Sequence, residues 1–429
     1  MATGMVMART RRRRSQPFSI DNPGRLIAAA LVCAILAGVL ALQAVSSVST
    51  RKAPGLAAKL YVPNGLAAER AMSAEFTKGV KSADDVAPSA KAVAPLARAA
   101  FRKEGLTPKA HAILALAETD PAARAKILAA ATRINRRDLL LQGMVLEQQV
   151  GAGDFKGSLT TLDRLLKVHP QQQAALFPVL IQALNQDAAL PAFAQILDGS
   201  APWHNDFLDF AVRNKTVLPG LGKLRLARKV GTDEFDRKLV VGLAENGQLS
   251  LAYDLFQAIT GKTAQSGGAG PIDWNADFAP FDWKFADEGG FRAQLARTDG
   301  QMEIYVRGGK GGLIAERLIR APAGRFAIKL NHRISPIDQI RDVRLQLRCA
   351  GSSNAFYDER FERGENLFAV GTVPANCGFL SIGIQTRAWS GQSALRGTIN
   401  RLEIVRLRDA ANSEAASDRS EGAETDTEE

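Results

Sequence analysis

The chain has 429 residues, 46% apolar and 23% charged, proportions that exclude a wholly disordered or fibrous chain. At about 150 residues per domain the length predicts two or three folded units. Lys and Arg number 55 against 44 Asp and Glu, a net charge of +11, and the mean hydropathy of −0.09 excludes a polytopic membrane protein while leaving room for one span.

Residues 1–25 are rich in arginine, with Arg9, Arg11, Arg12, Arg13, Arg14 and Arg25 against the single acid Asp21. From Leu26 to Leu42 there is no charged or strongly polar residue. A helix over 26–45 would be about 30 Å long, enough to cross a bilayer core. The downstream side carries only Arg51, Lys52 and Lys59 nearby, so the expected topology is a single-pass bacterial inner-membrane protein, N-terminus cytoplasmic and bulk periplasmic. Ala44-Val45-Ser46 also suits signal cleavage, but the apolar run exceeds the roughly 7 to 15 residues of a typical signal peptide. An uncleaved anchor is the expectation, with a cleaved signal as the alternative.

Three cysteines are present. Cys33 falls within the span, whereas Cys349 and Cys377 lie in a segment that reads as β and are the candidates for a disulfide, which an exported body would permit. The alternative is two buried free thiols. Without a Cys-x-x-Cys pair or a Cys/His cluster, no metal site is expected.

Residues 46–104 are rich in Ala, Ser, Lys and Pro and read as a linker with short helices. From 105 to 262, Ala, Leu and Ile recur at helical spacing, interrupted near Asp120-Pro121 and Gly151-Ala152-Gly153, which predicts helix pairs. The stretch Leu139 to Gln172 resembles a tetratricopeptide repeat. Gly153, Asp154 and Phe155 fall at its inter-helix turn, Ser158 at the small position of its second helix, Leu162 and Leu165 at apolar positions, and Pro170 at the terminal proline. A step of 34 residues onward places Ala192 at the small position, and a unit from Asp233 places Ala252 there. A step back places Arg124, and Leu146 replaces the small residue of the first helix, so these are tetratricopeptide-like units. The resemblance implies a curved helical array that holds a protein partner.

Residues 263–279 have a linker's composition. Beyond them, alternating runs such as QMEIYV from Gln301, DVRLQLRC from Asp342 and FLSIGIQT from Phe379 predict an antiparallel β-sandwich of about eight strands over 280–408. PFDWKF from Pro280, APAGRFAIKL from Ala321 and GTINRLEIVRL from Gly397 look like parts of the galactose-binding-like jelly rolls of carbohydrate-binding modules. That resemblance implies glycan contact through aromatic faces and polar groups. The candidates are Trp389, Tyr357 and Phe356, with Arg360 and Arg387 adding hydrogen bonds; local packing is the alternative for each aromatic. Trp274 and Trp283 are expected to close the sandwich onto the helices. This region carries a net charge of +7, which favours an acidic polysaccharide or anionic surface.

With four histidines and no hydrolase or phosphate-loop motif, neither catalysis nor a cofactor is expected. Nucleic-acid binding is not expected either, because topology accounts for the cytoplasmic arginines. Residues 409–429 are acidic and expected to be disordered. The sequence thus predicts a multidomain chain: one transmembrane helix, an all-α tetratricopeptide-like solenoid and an all-β jelly-roll sandwich. Its expected role is a non-catalytic scaffold or adaptor, accessory to envelope or exopolysaccharide assembly. The alternatives are a pure protein–protein scaffold with a structural sandwich and a polysaccharide-modifying enzyme.

Overall fold

The computed structural model describes residues 23–261, 269–297 and 300–407. The arginine block before Pro23, the glycine-rich centre of the linker and the acidic tail lie outside the described residues. The chain divides into two compact units, Met1–Gly153 and Asp154–Glu429.

In the first unit, α1 (Pro23–Ser49) is long and apolar enough to cross a membrane or to serve as a signal sequence. Its last turn is tied down. Ser46 is fully buried, its hydroxyl donates to Ala57 O at 2.8 Å, and Asn64 Nδ2 donates to Ser46 Oγ at 2.8 Å and to Thr50 Oγ1 at 3.2 Å. Ala57 belongs to α2 (Pro54–Leu60), and Asn64 caps α3 (Gly65–Gly79) by accepting from Ala67 N.

The stretch read as a linker holds α3 and the 18-residue α4 (Val86–Lys103), which share a core with α5 (Pro108–Ala117). Met72, Ala90, Val93, Ala97, Ala100, Ala110 and Ile113 fill it. Alanine hides this from a hydropathy reading, since it scores near neutral, yet lets helix axes approach closely. α6 (Pro121–Ile134) and α7 (Leu139–Gly151) follow, and Asp120 and Asp138 accept from the free N–H groups of their first turns. The Asp120-Pro121 break is therefore a helix start, with Pro121 in the first turn, where its missing N–H costs nothing.

The boundary between units falls inside the stretch that resembles a repeat. The second unit opens with α8 (Phe155–Val168), capped by Asp154, and continues through α9 (Gln173–Leu184), α10 (Leu190–Ile196), α11 (Pro202–Ala211), α12 (Leu218–Ala227), α13 (Asp233–Glu245) and α14 (Leu249–Thr260). Ser158, Ala192 and Ala252, at the small positions, are all buried. The core is aromatic, with Phe207 5.5 Å from Phe177 and 6.0 Å from Phe193 between ring centroids. Arg225 and Asp236 form a buried two-pronged ion pair, with both N···O distances 2.8 Å. α13 and α14 turn about Gly247, whose φ of +78° suits glycine.

The rest of the second unit is an antiparallel sandwich. One sheet has the order β1 (Gly270–Ile272), β13 (Leu402–Arg406), β7 (Phe326–Ser335), β12 (Leu395–Asn400), β5 (Gln301–Val306), β4 (Phe291–Leu295) and β3 (Asp287–Glu288), with β10 (Glu365–Gly371) also on β7. The other is β2 (Lys284–Phe285), β6 (Gly311–Arg320), β11 (Phe379–Arg387), β8 (Val343–Cys349) and β9 (Ala355–Arg360). Between them Met302, Phe326, Ile328, Leu345, Leu347, Ile382 and Ile399 form one core.

Trp274 and Trp283 do not make the junction with the helices. Their rings lie 4.4 Å apart inside the sandwich core. The junction is a seam in which Tyr253 of α14 meets Phe281 at 5.2 Å and Phe379 at 5.6 Å, and Phe256 meets Phe281 at 5.5 Å. Large indoles gain most from full burial between the sheets, which leaves the phenylalanines to the seam.

Candidate functional surface

β8 carries the alternation Arg344, Leu345, Gln346, Leu347, Arg348. Leu345 and Leu347 enter the core, so Arg344, Gln346 and Arg348 stand on the opposite face of the five-stranded sheet. Register places Arg344 between Gln385 of β11 and Arg360 of β9, and Gln346 between Gly383 and Asp358. A polar network joins them. Asp358 accepts from Arg344 Nε at 2.5 Å and from Gln346 Nε2 at 3.2 Å, while Arg348 Nη2 donates to Gln346 Oε1 at 2.6 Å. On the same sheet Ser381 Oγ donates to Glu316 Oε1 at 2.6 Å.

Arg387 ends β11, and the following loop carries Trp389. The guanidinium carbon lies 3.9 Å from the centre of the Trp389 ring, which leaves the residue 47% exposed. This loop is pinned to the turn between β5 and β6, since Gly309 N donates to Ala388 O at 2.7 Å and Ala388 N to Lys310 O at 2.9 Å. The approach is close enough to require glycine at 308, where a Cβ would stand 2.8 Å from Gln392 O. The guanidinium thus covers one face of a half-exposed indole.

The other candidates are placed differently. Phe356 and Tyr357 lie on the edge strand β9, partly buried against the sandwich core. Burial pushes the Tyr357 hydroxyl up to about 12, and the charge of Glu359 adds to the shift. Arg360 is exposed at the end of β9, in register with Arg344. Only Trp389 and Arg387 among the five are stacked on one another. Arg344, Gln346, Arg348 and Asp358 were missed in the sequence, although the period-two placement of polar residues on β8 was a usable signal. Cys349 and Cys377 are joined as a disulfide, with Cα atoms 5.3 Å apart, fastening the end of β8 to the approach to β11.

No family model and no curated protein matches the sequence. Among solved structures, the chain overlaps one of accessory secretory proteins 1, 2 and 3 of Streptococcus pneumoniae at 10% identity and a TM-score of 0.22, over 32% of this chain and 96% of that one. It also overlaps one of botulinum neurotoxin type C, whose access to cells depends on two ganglioside molecules, at 6% identity and a TM-score of 0.21, over 36% of this chain and 51% of that one. Overlaps this weak carry no inference about the chain.

Proposed function

We propose that the protein is a non-catalytic, membrane-anchored scaffold of the bacterial envelope. In this reading α1 is retained in the inner membrane with the body in the periplasm, the tetratricopeptide-like helices dock a protein partner, and the sandwich contacts an acidic polysaccharide during envelope or exopolysaccharide assembly. The buried Ser46 network supports a retained helix, because cleavage near Ala44-Val45-Ser46 would dismantle the joint that seats α2 and α3. The disulfide supports an oxidising compartment, and the arginine block upstream of α1 supports the orientation.

The observation that carries the glycan reading is the half-exposed Trp389 stacked on Arg387 beside the polar face of β8 and β11. The test is binding of the full-length protein in nanodiscs to neutral and acidic polysaccharides, with Trp389→Ala and Arg387→Gln as variants. Saturable binding to an acidic polymer, clearly weakened in Trp389→Ala, supports the reading. A folded wild type that binds no polysaccharide overturns it. A purely structural sandwich is then the better account, favoured by the seam of Tyr253, Phe256 and Phe281 that fastens the sandwich to α14.

A further inference from the structure

Where α1 ends, the first unit opens a groove of about 580 Å³. Arg51, two residues past the helix, forms one side; Arg70 and Ser73 come from successive turns of one face of α3, and Lys109 from the first turn of α5. No carboxylate lines it. The three cations are exposed, and Arg51 and Arg70 have no ion-pair partner among the described residues. Nearby, Glu69 is buried and already engaged: its carboxylate accepts from Lys109 N at 2.7 Å and caps α5. The groove thus gathers three cations with no carboxylate among its lining residues.

The segment that follows Pro54 of the lining exposes apolar side chains between Lys52 and Lys59 and beyond them. Leu56 and Leu60, one turn apart on α2, are 56% and 37% exposed, and Val62 and Leu66, in and just beyond the following turn, are 62% and 50% exposed. Four large apolar side chains left in water within eleven residues would be costly for a soluble surface. They suit a segment resting in the headgroup region of a bilayer. The Ser46, Thr50 and Asn64 hydrogen bonds tie this segment to the end of α1, so with α1 as a retained span the groove would lie where the helix leaves the membrane.

Resting on the reading of α1 as a retained span, we propose that this groove binds the headgroup of an anionic phospholipid, with Arg51, Arg70 and Lys109 around the phosphate and Ser73 as a neutral donor. The site fixes the tilt and depth of the first unit on the membrane and gives the anchor a lipid preference that an apolar helix alone lacks.

The test uses full-length protein extracted in mild detergent and reconstituted in nanodiscs containing both phosphatidylglycerol and phosphatidylcholine, with retained lipid read by native mass spectrometry. The wild type is expected to retain phosphatidylglycerol preferentially. Each of Arg51→Gln, Arg70→Gln and Lys109→Gln should lower that preference about fivefold, from about 1 kcal/mol per cation at a lipid surface. Equal retention of the two lipids by the wild type, or an undiminished preference in the triple variant, overturns the proposal. Inorganic phosphate provides a separate arm: saturable binding of phosphate without retained phosphatidylglycerol assigns the groove to a soluble anion and rejects the lipid. Alkaline carbonate washing tells the two levels apart. A chain released from membranes refutes the anchor and this site with it, whereas one that stays embedded without lipid preference refutes the site alone.

Discussion

Asn64 donates through Nδ2 to the hydroxyl of Ser46 at 2.8 Å, across 18 residues, and accepts from Ala67 N through Oδ1 at 2.9 Å. One side chain thus joins the last turn of the apolar helix to the first turn of α3. Asn64→Ala removes a helix cap and leaves a buried hydroxyl with a lost donor, for a loss of about 1–3 kcal/mol in the first unit. Thermal denaturation of the full-length variant checks this. Intact-mass analysis of the protein isolated from membranes should include α1; a mass beginning near Ser46 would show a cleaved signal instead.

The Arg225–Asp236 pair predicts a larger effect. Both side chains are buried, and both prongs are short. Asp236→Ala strands a guanidinium away from water and should cost about 3–5 kcal/mol, while replacing both residues with apolar ones of similar volume should cost much less. Urea titration of the two variants separates the alternatives: equal losses would mean that the charges contribute nothing beyond packing.

Two buried histidines predict a pH dependence. At His332, Nε2 lies 2.7 Å from Glu362 O, which assigns it the proton of the neutral ring, while Nδ1 is buried without a partner. Burial lowers the pKa, and the bond to Glu362 O opposes it more weakly. His204 is also held down by burial, although Asp163 and Asp198 stand 3.4 and 3.5 Å from its ring nitrogens. With the folded pKa below the ordinary value of 6.5, the unfolded chain takes up the proton first on acidification. Stability should be complete above pH about 6.5 and fall as pH drops below it, by at most about 1.4 kcal/mol per pH unit for each histidine. Urea midpoints between pH 7.5 and 5 measure this, and His332→Gln should flatten part of the slope. A midpoint that rises on acidification would contradict the assignment.

Phe281 predicts how the second unit unfolds. It is 1% exposed and touches Tyr253, Phe256 and Phe379. Phe281→Ala should cost about 3–5 kcal/mol. It should also uncouple the sandwich from α14, so that calorimetry resolves an extra transition; a single transition merely shifted to lower temperature would show that the seam does not set cooperativity.

The disulfide closes a loop over a separation of 28 residues. Cys349→Ser with Cys377→Ser should cost about 3–4 kcal/mol by loop entropy. The matching observation is a lower denaturation midpoint of the oxidised wild type on adding reductant, absent in the double variant.

What residue order alone determined here is whatever depends on local periodicity. The apolar run of α1, the helix starts at Asp120, Asp138 and Asp154, and the alternation that makes β8 a strand all follow from backbone geometry acting over a few neighbours. The alanine-rich α3 and α4 were hidden because alanine favours a helix without marking a face strongly. What only the tertiary structure decided is which side chains meet across long separations: Ser46 with Asn64, Tyr253 with Phe379, and Arg51 with Arg70 and Lys109 around one groove. Trp389 was visible as a loop aromatic, but whether it would pack or remain exposed on Arg387 depended on the turn at Gly308 and Gly309, some eighty residues away. Such juxtapositions arise when whole faces are buried at once, and no short stretch of the chain encodes them.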